Sequence, residues 1–82
     1  MKYKVGDIIY YRNDYGMAYD REEDWGLVKR IEGDNIYCIW IKNIRDGDYE
    51  QTWVSENYNY EIRLVEGKEK EKYLDEFMIE ML

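Results

Sequence analysis

Residues 25–41 have the sequence WGLVKRIEGDNIYCIWI, and this stretch decides the fold. Segments 25–32 and 35–41 are rich in β-branched and aromatic residues, which is typical of half-buried strands. Between them, Gly33-Asp34 is a two-residue connection that suits a tight hairpin turn, because glycine accepts positive φ at its first position. The second segment is apolar on both faces, so we expect both of its sides to be covered.

Three further short strands are predicted around this hairpin. Residues 7–12 precede it, and residues 49–55 and 61–65 follow it, each with β-branched or aromatic positions. Residues 13–24 and the stretch around 46–48 carry Gly, Asp or Asn without an apolar period, and they predict surface loops. Five short strands with one tight hairpin indicate a mainly β protein with a small, strongly curved barrel.

The C-terminal residues 68–82 differ from the rest because they are rich in Lys and Glu and have helical spacing. The apolar positions that share one helical face are Tyr73, Leu74, Phe77, Met78 and Met81. A helix this short is marginal alone. We therefore expect it to dock on the open end of the barrel or on the second face of strand 35–41, and a dimer seam or a partner's groove is the competing interpretation.

The predicted organisation is one domain, with a barrel over 1–67 and the packed amphipathic helix over 68–82. We expect a monomer rather than a homodimer. Residues 55–57 have N-cap chemistry and predict a single helical turn between the last two strands. The length of 82 residues leaves room for one small core and no second domain.

Charge and composition exclude several classes of protein. The chain has 19 acidic and 12 basic residues and no histidine, which gives a net charge of −7. This balance disfavours a general binder of phosphate backbones and a peripheral binder of anionic membranes. The hydrophobic content of 45% and aromatic content of 17% are too high for a disordered acidic tail.

The cysteine content and the apolar runs bear on the compartment. Cys38 is the only cysteine, so the chain has no intramolecular disulfide and no thiolate cluster, and we expect a buried small residue in a reducing cytoplasm. The N-terminal residues lack an apolar stretch of signal-peptide type. No apolar run approaches the ~20 residues that span a bilayer.

Catalysis and metal binding find little support in the residue types. Without histidine, the usual general base near neutral pH is missing. Asp46, Asp48 and Glu50 are spaced like the start of a calcium loop, but the position of the closing Glu is occupied by Asn57. The glycines form no phosphate-binding pattern. We therefore predict a non-enzyme with no cofactor and no metal site.

Short motifs follow one another in order over about residues 4–65. They are Val5-Gly6-Asp7-x-Ile9, Trp25-Gly26-x-Val28-x-x-Ile31-x-Gly33-Asp34, Tyr37-x-Ile39-x-Ile41, Trp53-Val54-Ser55-Glu56 and Ile62-x-Leu64. This order resembles the SH3-like barrel superfamily, in the Tudor, chromo-barrel and KOW-like sense rather than the proline-binding sense. The resemblance implies a five-stranded SH3-like barrel and leaves the function open, because small barrels perform many unrelated tasks.

The same resemblance implies one pocket. In barrels that resemble Tudor and chromo domains, aromatic residues from the first long loop and the late strands can line a cage for methylated Lys or Arg. Here the aromatic pocket would consist of Tyr19, Trp25, Trp53 and Tyr58. The alternative is that Tyr11, Trp25, Tyr37 and Trp53 are core residues and the remaining tyrosines lie on the surface.

Negative charge is concentrated in two tyrosine-rich stretches. Residues 14–24 have a net charge of −4, and residues 46–61 have a net charge of −5. If the two meet at one end of the barrel, they form a negative surface with aromatic anchors that suits a basic protein partner. The predicted partner-binding residues are Tyr15, Tyr19, Glu22, Glu23, Asp24, Asp46, Asp48, Tyr49, Glu50 and Tyr58. The alternative is that these acidic loops only keep a small protein soluble.

Three functional hypotheses follow. The first is a non-catalytic interaction module, and its sharper form is a small phage-type or prophage-type inhibitor that covers the basic groove of a host nucleic-acid-acting enzyme. The rival is a KOW-like or Tudor-like accessory domain that binds RNA or DNA through one local basic strip. The strip would consist of Lys29, Arg30, Lys42 and Arg45. The third is a structural virion or assembly protein whose C-terminal helix makes the contact.

Overall fold

The computed structural model describes residues 2–13, 22–55 and 61–80. Within these residues, five antiparallel strands form one curled half-barrel sheet in the order β4-β3-β2-β1-β5. The strands are β1 (Ile8–Asn13), β2 (Glu22–Glu32), β3 (Asn35–Trp40), β4 (Thr52–Ser55) and β5 (Glu61–Leu64), and the helices are α1 (Ile41–Arg45) and α2 (Gly67–Glu80). The predicted mainly β fold with five strands and a C-terminal helix is confirmed.

Several predicted boundaries are wrong. β2 begins at Glu22 rather than at residue 25, because residues 22–24 continue the ladder with the end of β1 instead of lying in a loop. Ile41 leaves β3 and opens α1, where the sequence predicted strand and then loop. Ile41 and Ile44 are one helical turn apart and both buried, so the apolar side of α1 faces the core. β4 begins only at Thr52, and the predicted turn at 55–57 extends outside the described residues.

The central hairpin forms as predicted, with one irregularity. Gly33 has φ of 60°, and Glu32 pairs with Asn35 across the turn. The register then shifts between Val28 and Arg30, so Lys29 is an extra residue on β2. Such a bulge strengthens the local twist of a sheet, which favours the curled shape.

A turn before β1 fastens the N-terminal segment to β2 beside this bulge. The N–H of Asp7 donates to the carbonyl of Lys4 at 3.0 Å, and Gly6 has φ of 95°. The N–H of Gly6 donates to the carbonyl of Val28 at 3.0 Å, and the N–H of Val28 donates to the carbonyl of Asp7 at 2.9 Å. The residues before β1 are therefore part of the same sheet framework.

The sheet separates two apolar layers. One layer consists of Tyr3, Ile9, Val28, Ile36, Cys38, Trp40 and Val54. The other lies beneath the helices and consists of Ile8, Tyr10, Ile39, Ile41, Ile44, Val65 and Phe77. The neighbours Cys38 and Ile39 alternate between the two layers and are both buried, so the second strand of the hairpin is covered on both sides as predicted.

Helix α2 packs on the second layer. Phe77 is 1% exposed, and Tyr73 and Leu74 pack against the same cluster. Met78 was predicted to belong to the packed face, and this prediction is wrong. Met78 lies at the edge of the apolar stripe and is 59% exposed. Met81 lies outside the described residues. None of the helices in the described ranges is long and apolar enough to cross a membrane.

Candidate functional site

An open cleft of about 220 Å³ lies on the side of the sheet opposite α2. Side chains from four strands and from α1 surround it. They are Tyr11, Glu22, Asp24, Trp40, Asn43 and residues 52–54 of β4. Acidic and aromatic residues therefore meet in one concave surface.

The aromatic wall depends on a glycine. Gly26 pairs with Trp40 across β2 and β3, and a Cβ atom at Gly26 would lie 2.8 Å from Cζ3 of the indole. The indole of Trp40 therefore lies directly against the backbone of β2, where any larger residue would displace it. Tyr11 meets Trp40 edge to face, with ring centroids 5.7 Å apart. This geometry is favourable for aromatic pairs.

The acidic part of the cleft is centred on Asp24. This residue pairs with Tyr11 across β1 and β2 and is 8% exposed. The backbone N–H of Trp25 donates to Asp24 Oδ1 at 2.8 Å, and the N–H of Lys42 donates to the same oxygen at 3.4 Å. Desolvation raises the pKa of Asp24, although these two backbone donors oppose the rise. Asp24 thus supplies an acceptor to the first turn of α1, as a capping residue would.

The second acidic stretch begins at the same place. The N–H groups of Asp46 and Asp48 both donate to the carbonyl of Asn43, at 3.0 and 2.9 Å, and Asn43 lines the cleft. The N–H of Glu50 donates to Asp48 Oδ1 at 2.9 Å. All three acidic residues are exposed. The second acidic stretch therefore starts next to a residue of the cleft, although Asp46, Asp48 and Glu50 do not line it.

No family model, curated protein or solved structure matches the chain.

Two predicted site residues, Glu23 and Trp25, instead make contacts on the side of the sheet that α2 covers. The hydroxyl of Tyr10 donates to Glu23 Oε2 at 2.6 Å; burial first, and then this bond, raise the pKa of Tyr10. Trp25 stacks on Tyr73 with centroids 4.5 Å apart, and its indole N–H donates to Glu69 Oε2 at 3.3 Å. Glu23 and Trp25 thus stabilise the helix-covered side of the sheet.

The predicted aromatic pocket is not assembled by its two described members. Trp53 lines the cleft and pairs with Tyr37 across β3 and β4, whereas Trp25 is stacked beneath α2. The indole of Trp25 therefore lies on β2 against α2, whereas that of Trp53 lies on β4 at the cleft. The other predicted aromatic residues, Tyr15, Tyr19 and Tyr58, lie outside the described residues, and Tyr49 is exposed beside the acidic loop.

The predicted basic residues do not form one strip. Arg30 lies over the ring of Tyr37 at 4.1 Å and pairs with Glu32 at 3.2 Å, close to the hairpin turn. Lys42 and Arg45 are on α1, beyond the other end of β3. Arg45 is paired with Glu76 of α2. The separation arises because α1 follows β3 directly and carries its basic residues away from the hairpin.

The described residues offer few other groups for metal binding or nucleophilic catalysis. They contain no group of three or more His, Cys, Asp or Glu side chains that could hold a metal ion. Burial raises the pKa of the Cys38 thiol to about 12, so this cysteine is not a nucleophile at neutral pH. A second open depression, of about 360 Å³, is lined by three lysines, Lys2, Lys4 and Lys70, and by two carboxylates, Asp7 and Glu66.

Sequence reasoning missed most of the cleft. Tyr11, Trp40, Asn43 and Thr52 were not among the predicted partner-binding residues. A glycine inside an apolar strand marks a close approach of another group, so Gly26 was the signal that a large side chain crosses β2 there. The identity of that side chain follows only from the register across the bulge.

Proposed function

We propose that this protein is a non-catalytic interaction module that binds a basic protein surface through an acidic surface, which consists of Glu22 and Asp24 in the cleft and of the exposed residues Asp46, Asp48 and Glu50. One observation carries the proposal. Glu22 and Asp24 of the first acidic stretch line a cleft with Asn43, and the backbone carbonyl of Asn43 accepts the N–H groups of Asp46 and Asp48 from the second stretch. The cleft thus combines two carboxylates of the first stretch with aromatic rings, and the second stretch starts next to a residue of the same cleft.

The electrostatics favour a cationic partner. Asp46, Asp48 and Glu50 are exposed residues in the segment between α1 and β4, and the whole chain has a net charge of −7. A concave surface of one sign steers oppositely charged partners and accelerates association. The exposed ring of Trp53 and the half-buried ring of Tyr11 provide the contact area that long-lived complexes need.

The sharper form of the proposal is that the partner is a nucleic-acid-acting enzyme and that the protein, as a phage-type inhibitor in the cytoplasm, occupies its basic groove. A dense negative surface on a small domain competes with phosphates for the Lys and Arg side chains of the enzyme's groove. The absence of histidine from the sequence and the buried thiol of Cys38 support a binding role rather than catalysis.

A pair of matched variants tests the proposal. The first carries Asp46→Lys, Asp48→Lys and Glu50→Lys at the acidic surface. The second carries Glu66→Lys, Glu71→Lys and Asp75→Lys, which are exposed positions at the start of α2 and along it. Both variants change the net charge equally. Affinity capture from the native host lysate, at low and at high salt, compares each with the wild type.

The expected result is a basic protein retained by the wild type and by the α2 variant, lost with the acidic-surface variant and weakened by salt. Retention by the acidic-surface variant would contradict the proposal. Capture of RNA or DNA instead, abolished by replacing Lys29 and Arg30, would favour the nucleic-acid rival. A capture that both variants lose equally would show that only total charge matters.

A further inference from the structure

β5 is an edge strand of the sheet, and part of its backbone points away from its neighbour β1. The N–H of Val65 donates to the carbonyl of Ile8 at 2.9 Å, so these opposite residues form a hydrogen-bonded pair. In an antiparallel ladder, such pairs alternate with pairs that are not hydrogen-bonded. Arg63 is therefore bonded to β1, whereas the N–H and C=O groups of Ile62 and Leu64 point toward the open edge.

These outward groups are largely unused. The carbonyl of Ile62 accepts the hydroxyl of Tyr3 at 3.5 Å, which is long for an O–H donor. Within the described residues, no other hydrogen bond reaches the outward groups of Ile62 and Leu64. Both side chains pack on the apolar layer that contains Tyr3, so the strand is held in place while its edge stays open. An edge of this kind is a template for an additional strand.

A depression lined by lysines lies at the end of this edge. Leu64 borders it, and so do Lys2, Lys4 and Lys70. Within the part of the chain that the structure describes, none of the three lysines forms an ion pair with a carboxylate. The ammonium of Lys2 lies 5.7 Å from the ring centroid of Tyr3. Three cationic side chains thus border one open concave surface.

Two carboxylates also border the depression. Asp7 is 6% exposed, and its Oδ2 accepts the backbone N–H of Lys4 at 2.9 Å, so this carboxylate belongs to the turn before β1. Glu66 is exposed. The lysines outnumber the carboxylates, so the depression has an excess of positive charge although the whole chain has a net charge of −7. A negatively charged group is therefore favoured there.

The edge and the depression together define the ligand. The edge needs backbone donors and acceptors at the spacing of a strand, which a polypeptide supplies and a free anion does not. We propose that β5 accepts an extended acidic segment of a partner protein as an additional strand, with carboxylates of that segment next to Lys2, Lys4 and Lys70. The backbone hydrogen bonds supply the affinity, and the lysines select the sequence. This inference is independent of the proposed function, because no residue of the acidic surface takes part in it.

Three probes separate the contributions of backbone and charge. The first is a short acidic peptide of alternating Val and Glu that is blocked at both ends. The second has Lys in place of Glu. The third is the acidic peptide with every amide N-methylated, which keeps the charges but has no backbone donors. Each is titrated into the full chain up to about 5 mM, which detects even weak association, and NMR reports the shifts and the hydrogen exchange of the amides.

The expected result alternates along the strand. In the free chain, the amides of Ile62 and Leu64 should exchange faster than those of Glu61 and Arg63, which are bonded to β1. The acidic peptide should slow the exchange of the two outward amides at least about tenfold. It should also shift the amides of residues 2–4 and 64–70. The lysine peptide should bind at least about tenfold more weakly, and the N-methylated peptide should cause no saturable shift at β5.

Matched variants test the lysines and the edge. Lys2→Gln with Lys4→Gln should weaken binding of the acidic peptide about threefold or more. Lys42→Gln with Lys72→Gln, at exposed positions of α1 and α2, makes the same change in net charge and should leave binding unchanged. Leu64→Pro removes an outward N–H and no hydrogen bond to β1, so it should abolish binding. If Leu64→Pro does not fold, the N-methylated peptide serves as the test of strand addition.

Several results would overturn the proposal. Slow exchange of Ile62 and Leu64 in the free chain would show that the edge is already covered, by the chain itself or, where the slowing grows with protein concentration, by a second copy. Equal binding of the acidic and N-methylated peptides, or unchanged binding by a folded Leu64→Pro chain, would refute strand addition. Equal binding of the acidic and lysine peptides, or unchanged binding by the Lys2 and Lys4 variant, would refute an acidic partner. Absence of a shift at β5 with every probe would refute the site.

Discussion

The indole of Trp40 lies directly against Gly26, so that a Cβ atom at this glycine would be 2.8 Å from Cζ3 and 2.9 Å from Cε3. The contact sets the position of the ring that forms the wall of the cleft, and Tyr11 packs against that ring from β1. Asp24 lies two residues before this glycine on the same strand. The contact between Gly26 and Trp40 therefore belongs both to the cleft and to the first apolar layer of the sheet.

Replacing Gly26 by Ala should destabilise the protein and displace Trp40. Overpacking of this kind typically costs about 1–3 kcal/mol, and it should appear in chemical unfolding and in the near-ultraviolet circular dichroism of the tryptophan. Gly47→Ala is the control, because a Cβ at Gly47 meets no atom within 4 Å and only its positive φ opposes the change. An alanine at position 26 that leaves the aromatic spectrum unaltered would refute the contact.

Phe77 should contribute far more to stability than its neighbour Met78. Phe77→Ala removes a ring that is 1% exposed, and such truncations cost about 3–5 kcal/mol. Met78 is 59% exposed, so Met78→Ala should change the free energy of unfolding by less than ~0.5 kcal/mol. Urea unfolding compares the two. Equal losses would mean that α2 packs with a different face.

How far the sequence predicts this fold is clearest at the hairpin. The Gly33-Asp34 turn and the apolar character of strand 35–41 are local features, and both were predictable. The bulge at Lys29 was not, because it depends on how β2 twists across β1 and β3. A regular register from the turn would place Gly26 opposite Ile41, whereas the bulge places it opposite Trp40.

The candidate site also combines features that the sequence predicts with features that depend on tertiary contacts. The acidic stretches were visible in the sequence, and the structure places Glu22 and Asp24 of the first one in the cleft. The burial of Asp24 was not visible, since a charged triplet is usually solvated. It follows from tertiary contacts, namely the ladder with β1 and the first turn of α1, where Lys42 donates to the carboxylate. For the same reason, charge reversal at Asp24 tests folding as well as binding.

Asp24 should make stability fall as pH rises. Desolvation raises its pKa in the folded state, so the folded chain retains this proton to higher pH than the unfolded chain does. The ionised Asp24 therefore lowers the free energy of unfolding. This loss of stability develops as pH rises from the ordinary carboxyl pKa to the raised value, and it persists above that value. We expect Asp24→Asn to gain stability relative to the wild type as pH rises through this window, by chemical unfolding at a series of pH values. The opposite trend would show that bound donors, rather than burial, dominate this carboxylate.

Glu69 should act in the opposite direction. The hydrogen bonds from Arg63, at 3.0 and 3.2 Å, lower the pKa of Glu69, so its stabilisation is present above the ordinary carboxyl pKa and is lost as pH falls through the lowered value. Glu69→Gln should cost about 0.2–1 kcal/mol near neutral pH, as partly exposed ion pairs do. The cost should vanish in acid. A pH-independent difference would mean that the variant acts through packing on Trp25 instead.

The most direct test of the acidic interaction surface is to map where a short arginine- and lysine-rich peptide binds, by NMR at physiological ionic strength. We predict saturable shifts centred on residues 22–25 and 40–50, which the Asp46→Lys, Asp48→Lys and Glu50→Lys variant abolishes and the variant of Glu66, Glu71 and Asp75 retains. Shifts spread evenly over all acidic residues, or concentrated on α2, would contradict a dedicated interaction surface at the cleft.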